Sequence, residues 1–183
     1  MLRRGGRGGG DVPGAPDGAG DGPDRYKMRE NLISIGDDFW IETQRGRRAY
    51  FVNGKALRVR DTLDFEDTNG RTLCKIQSKM LRIKDTMEIE RPGQGNVTVK
   101  KALLTPMRDR FEANVPGAGD IDIQGNITGH EYTMTRGGRR IAEVSKKWLA
   151  IRDTYTVEVD GGEDDVLVLA IAVAIDQMSH DVG

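Results

Sequence analysis

The chain has 183 residues, and once a compositionally distinct start is set aside it is long enough for one domain with one substantial core. Its 28 Lys and Arg against 29 Asp and Glu give a formal charge of -1. That excludes a bulk electrostatic pull toward nucleic acid or membrane and leaves only a local patch to supply one.

Residues 1–24 are dominated by Gly, Pro and Asp with almost no large apolar side chain, so ordering them would cost backbone entropy with no burial to offset it. A disordered tail is expected. Arg3, Arg4 and Arg7 are followed by glycines rather than an apolar segment, so no export signal is read here. The glycine spacing also never completes a G-x-G-x-x-G after a strand.

From about Tyr26 the pattern changes to short period-two runs closed by Gly, Asn, Asp or Pro, the signature of antiparallel hairpins. Asn53-Gly54, Asn69-Gly70 and Gly137-Gly138 predict three of them, each tolerating the positive φ of a type I′ turn. Pro92-Gly93-Gln94-Gly95-Asn96 predicts a looser turn, and Pro106 and Pro116 interrupt the stretch from Val97 to Ile121. Met87 and Ile89 alternate with Glu88 and Glu90, and Tyr155, Val157 and Val159 with Thr154, Thr156 and Glu158. Such strands have one dry and one wet face. Cys74, the only cysteine, shares the face of Ile76 and reads as a small core hydrophobe; a lone cysteine allows no intrachain disulfide and fits a reducing cytoplasm. Asn96-Val97-Thr98 and Asn126-Ile127-Thr128 match the glycosylation sequon, which has meaning only in a secretory pathway.

Residues 71–89 repeat as 139–157, with identities at Arg71/Arg139, Lys79/Lys147, Leu81/Leu149, Ile83/Ile151, Asp85/Asp153 and Thr86/Thr154. Gly70 and Gly138 flank the copies, and Val59-Arg60-Asp61-Thr62 is a third echo. Two strand-turn-strand copies predict a pseudo-symmetric sheet or barrel rather than a solenoid, which would need more repeats. Beyond Gly161-Gly162, the carboxylates of Glu163, Asp164 and Asp165 mark a helix start. Val166 to Ile175 is apolar on every side, so this helix, about 163–178, must be enclosed. Ten apolar residues are too few for a membrane span, which needs about 20.

The turn-flanked pair Arg71 to Glu90 and Arg140 to Val159, followed by the acidic start and the Val166 to Met178 run, resembles the LURP-one-related family of the tubby and phospholipid scramblase-like superfamily. Tyr26-Lys27-Met28-Arg29-Glu30, Ile35-Gly36-Asp37-Asp38-Phe39 and Ala174-Ile175-Asp176 carry the same resemblance. It implies a mainly antiparallel β (α+β) domain over 25–179: a closed tubby-like barrel of about twelve strands around the C-terminal helix. Tubby domains bind phosphoinositide head groups and scramblases act at membranes, whereas LURP-one-related proteins have no established enzymatic activity. The scramblase's cysteine-rich anchoring features are absent.

For chemistry, His130 and His180 are the only histidines, the second in an expected tail, and no G-x-S-x-G, H-E-x-x-H, P-loop or C-x-x-C is present. No catalytic residue, cofactor or metal ligand is assigned. Asp67-Thr68-Asn69-Gly70 resembles part of a calcium loop, but its first and twelfth ligand positions would be Phe65 and Ile76, so it reads as a turn. The candidate binding residues are Lys79, Arg82, Lys84, Lys146, Lys147 and Arg152, because the repeat makes Lys79 equivalent to Lys147 and Lys84 to Arg152. Such a set can converge on one anion or stand as a solvated face. Trp148 beside Lys147 reads as a core aromatic or an interface anchor. The expectation is a non-catalytic binding or scaffold domain for an acidic phospholipid or a protein partner, without nucleic acid. The alternative is an enzyme using Asp and Lys side chains in a barrel cleft.

Overall fold

The computed structural model describes residues 22–29, 38–54, 62–78, 86–102, 109–146 and 154–180. Twelve antiparallel strands follow the period-two runs: β1 Asp24–Arg29, β2 Phe39–Thr43, β3 Arg48–Asn53, β4 Thr62–Asp67, β5 Thr72–Ser78, β6 Thr86–Glu90, β7 Val97–Lys101, β8 Asp109–Asn114, β9 Ile121–Asn126, β10 Glu131–Arg136, β11 Arg139–Ser145 and β12 Thr154–Val159. Each pairs with its neighbour in sequence, and β1 closes on β12, so the sheet is a barrel without an edge.

One helix, α1 (Asp165–His180), runs through the lumen. Leu167 to Asp176 and Met178 are buried, as the all-round apolar run requires. Twelve strands about 4.8 Å apart and tilted by about 40° enclose a cylinder roughly 24 Å across. A helix about 10–12 Å wide plus one layer of inward side chains fills that space. Accordingly α1 packs on β5, β6 and β7 on one side and on β12 opposite. It begins two residues later than the acidic run suggested, because Asp164 is the N-cap: its Oδ1 accepts the Leu167 N–H at 3.0 Å. It also extends through His180, which is helical rather than part of a tail.

Because strands alternate in direction, the chain reverses at one rim at 44–47, 68–71, 91–96, 115–120, 137–138 and 160–164. This is the turn rim. Gly137 and Gly138 both have positive φ, 56° and 80°, and Arg136 pairs with Arg139 across a two-residue turn of the expected type. Asn69-Gly70 does form a hairpin, but only Gly70 has positive φ (79°). Its N–H donates to the Asp67 carbonyl at 3.0 Å, and a bulge follows between Phe65 and Glu66. The turn is thus the three-residue form with a left-handed glycine rather than type I′.

Asn53-Gly54 is not a hairpin turn. Asn53 pairs with Asp64, leaving 54–63 between them. The Asn53 amide instead donates to Glu66 at 3.2 Å, and the Gly54 N–H donates to Asp38 Oδ1 at 3.1 Å. The turn in this region is at Gly46 (φ 78°), between β2 and β3.

The repeat has a structural counterpart. Ile76 pairs with Ile89, Gln77 with Glu88 and Lys75 with Glu90; 68 positions later Val144 pairs with Val157, Ser145 with Thr156 and Glu143 with Glu158. Leu63 opposite Ile76 and Phe65 opposite Cys74 become Tyr132 opposite Val144 and Met134 opposite Ala142, with the bulge at the same place. In a closed barrel of twelve, the two units stand on opposite walls.

The dry faces are as expected: Cys74, Ile76, Ile89, Tyr155 and Val157 are fully buried, and Met87 and Val159 nearly so. Burial pushes the Cys74 thiol up to about 12. Thr156, assigned to the wet face, is buried as well, flanked by Lys27 on β1 and Ser145 on β11.

Candidate functional site

Of the basic set, Lys79, Arg82, Lys84, Lys147 and Arg152 lie outside the described residues, as do Trp148, Pro106 and Val59-Arg60-Asp61. Lys146 is described: it is half-buried just beyond β11, and its backbone N–H donates to Glu131 Oε1 at 2.9 Å, beside two bonds from the Ser145 hydroxyl to the same carboxylate. The strand ends that frame the two halves of the set, Ser78 and Thr86 on one wall and Ser145 and Thr154 on the other, share the rim opposite the turns. These strand ends stand across the barrel from each other, at one end of the molecule without being neighbours.

The same end holds the most polar part of the interior. The turn 127–130 carries His130 in the left-handed region (φ 52°), an uncommon conformation for a residue with a side chain, and the ring is buried. It stacks on Tyr155, with centroids 4.3 Å apart. Its Nε2 lies 3.2 Å from Asp176 Oδ1, an electrostatic contact whose geometry is not that of a directed hydrogen bond. The Tyr155 hydroxyl donates to Asp176 Oδ2 at 2.5 Å. Burial, then the Asp176 charge, hold the Tyr132 phenol well above its usual range. A carboxylate only 2% exposed, met by an imidazole and a phenol, could serve in proton transfer if a substrate reached it. Asp176 lay in the sequence within the most distinctive stretch, yet nothing there tied it to His130 or Tyr155, which are distant in the chain.

At the turn rim the three carboxylates at the start of α1 are each engaged. Glu163 takes Arg136 at 2.6 Å and Arg139, Asp164 takes Arg91, and Asp165 accepts the Tyr26 hydroxyl at 2.9 Å. Burial, followed by the charges of Asp24 and Asp164, pushes Asp165 up to about 6 despite the Tyr26 bond. Among the described residues no cluster has the three His, Cys, Asp or Glu side chains that a metal would need. Asp67 serves as a turn acceptor. Its carboxylate is held below its usual range, most strongly by the Arg71 backbone N–H.

A family model described as LURP-one-related matches residues 25–176. The chain belongs to the LURP-one-related family. No curated protein matches it. Among solved structures, an X-ray structure of a protein from Arabidopsis thaliana superposes with a TM-score of 0.65 at 15% identity, covering 93% of this chain and 99% of that one. At that identity the likeness is one of fold: a LURP-one-related barrel closed around its C-terminal helix. No described helix is long and apolar enough to cross a membrane.

Proposed function

We propose that this LURP-one-related domain is a non-catalytic binding platform that receives an acidic phospholipid head group at the rim opposite the turns. The observation behind this reading is the filled lumen. From Leu167 to Ile175 no residue of α1 is more than 3% exposed, so the barrel interior is occupied by the protein's own helix and a ligand must be met from outside. A concavity of about 120 Å³ between Pro23, Tyr26, Thr43 and Arg45 is a surface dent smaller than a typical ligand pocket. The repeat makes Lys79 and Lys84 equivalent to Lys147 and Arg152, and with Arg82 and Lys146 these residues would supply the cationic contacts.

Co-sedimentation with anionic and neutral vesicles at two salt concentrations tests the reading. Expected is a preference for anionic vesicles that weakens with salt and is lost in Lys79→Ala/Lys147→Ala with the fold intact. Equal capture by neutral vesicles, or unchanged binding of the double variant, would remove the lipid assignment. A second reading, an enzyme, is favoured by one feature only, the His130, Tyr155 and Asp176 cluster. Its test is turnover of a broad ester and phosphoester panel that Asp176→Asn abolishes.

A further inference from the structure

The outer wall of β1–β3 differs in charge from its surroundings. Its outward positions carry Lys27 and Arg29 on β1, Trp40 and Glu42 on β2, and Arg48 and Phe51 on β3, with Arg45 exposed in the turn between. The outward positions of β4 and β6 are, by contrast, Asp64 and Glu66, and Glu88 and Glu90. Several cations elsewhere on the wall are paired with carboxylates. Arg110 meets Asp122 at 2.6 Å, Lys100 meets Glu112 at 3.5 Å, and Arg140 meets Glu143 at 2.7 Å and Asp160 at 3.0 Å. Among the described residues Lys27, Arg29, Arg45 and Arg48 have no carboxylate at ion-pair distance, although Glu42 stands directly across from both Lys27 and Arg48.

The aromatic pair gives this wall an apolar element. Trp40 and Phe51 are cross-strand partners with ring centroids 4.8 Å apart, both half-buried on the outside of the barrel, and the Arg48 guanidinium lies 4.6 Å over the Trp40 ring. Trp, Phe and Arg are the side chains that anchor protein interfaces.

We infer that the outer face of β1–β3 binds an extended acidic segment of a partner protein. Lys27 and Arg29, two residues apart on one strand, are spaced by about 6.6–6.8 Å, the repeat of alternate side chains in an extended chain. Carboxylates at every second position of such a segment fall opposite them, and the aliphatic stems on that same face lie along Trp40 and Phe51, while the intervening side chains point away from the wall. Nucleic acid fits less well, because base stacking requires an open ring face and Trp40 is covered by Arg48 and Phe51. A bilayer fits less well too, since a convex wall touches a flat surface along a line and these aromatics do not protrude. This inference does not rest on the lipid reading, which concerns the loops at the rim opposite the turns, although Arg29, paired with Thr154, stands at the edge of that rim.

Fluorescence anisotropy of the full chain with a labelled twelve-residue peptide of alternating glutamate and proline tests it, with the glutamine and proline peptide as control. The glutamate peptide should bind at least about tenfold more tightly, with an affinity that falls as salt rises. Lys27→Glu/Arg29→Glu/Arg48→Glu should weaken it about tenfold or more, with unchanged circular dichroism and melting temperature. Trp40→Ala should weaken it about threefold or more while leaving every charge in place. Equal affinity for the two peptides, or for wild type and the triple variant, would overturn the inference. So would capture of single-stranded RNA or anionic vesicles, lost in the triple variant, without peptide binding. Peptide binding that emerges only in Asp11→Asn/Asp17→Asn/Asp21→Asn would name the chain's own tail as occupant and likewise overturn it.

Discussion

Leu169 stands at the middle of the plug, fully buried, with wall strands on both sides. Leu169→Ala removes three carbons, worth about 2.4 kcal/mol in transfer at ~0.8 kcal/mol per methylene. Most cores recover part of the loss by closing over the gap. Here the surrounding wall is a sheet hydrogen-bonded into a ring, so no strand can move inward without breaking ladder bonds on both of its sides. A void on the order of 70 Å³ left open adds about 1.7 kcal/mol at ~24 cal/mol per Å³. The expected destabilisation is therefore about 4 kcal/mol, a large fraction of the roughly 5–15 kcal/mol that holds a typical domain together. Urea unfolding followed by tryptophan fluorescence and circular dichroism measures it, with Val166→Ala, at a half-buried position, as the comparison expected to cost less than about 1 kcal/mol. A loss at Leu169 below about 2 kcal/mol would mean that the barrel can contract around its helix, and the rigid-ring argument would be wrong.

Asp164→Ala removes the cap of α1 and strips the partner from Arg91, whose side chain is only 10% exposed, so a loss of about 2 kcal/mol, above the ~1 kcal/mol of a cap alone, is expected in the same unfolding assay. Asp165 is raised to about 6 from 3.8, so the native state holds its proton more tightly than the unfolded chain. This group therefore favours folding progressively more as pH falls from above 6 toward 4, and Asp165→Asn should flatten the melting temperature between pH 8 and pH 5. After discounting for partial exposure the effect is about 1–2 kcal/mol; an unchanged pH profile would contradict it. Removal of residues 1–23 should leave the thermal midpoint within a few degrees of the full chain, and a large fall would show that the tail packs on the domain.

Much of the fold was legible because it follows from local pattern. The alternation at Met87–Glu90 and Tyr155–Val159 gave the strand faces, and the all-round apolar run from Val166 demanded enclosure. What misled was chemistry without context. Asn53-Gly54 has the composition of a tight turn, but β3 continues through Asn53, and the amide that would have turned the chain is spent on Glu66. The Gly46 turn went unseen because Arg45 and Arg47 give no turn signal of their own. The buried Asp176, His130 and Tyr155 contact joins three distant segments through the lumen, and only closure of the barrel brings them together. The outer basic and aromatic wall is also a product of pairing, since Lys27, Trp40, Arg48 and Phe51 belong to three strands and form no motif along the chain.

The matched registers of the two halves also bear on how the helix finds its angle. A shell with near two-fold equivalence offers its plug two seats, half a turn apart, and apolar side chains alone distinguish them poorly. The polar residues discriminate. In the seat observed, Asp176 meets Tyr155, and Glu163 meets Arg136. In the other, the pairing equivalences would set Asp176 against Met87, without a donor, and Glu163 against Asp67 and an Arg71 whose charge Asp67 already engages, in place of two arginines. The two ends of α1 thus act as a key cut for one orientation of a nearly symmetric lock, and the barrel keeps a single arrangement of its interior.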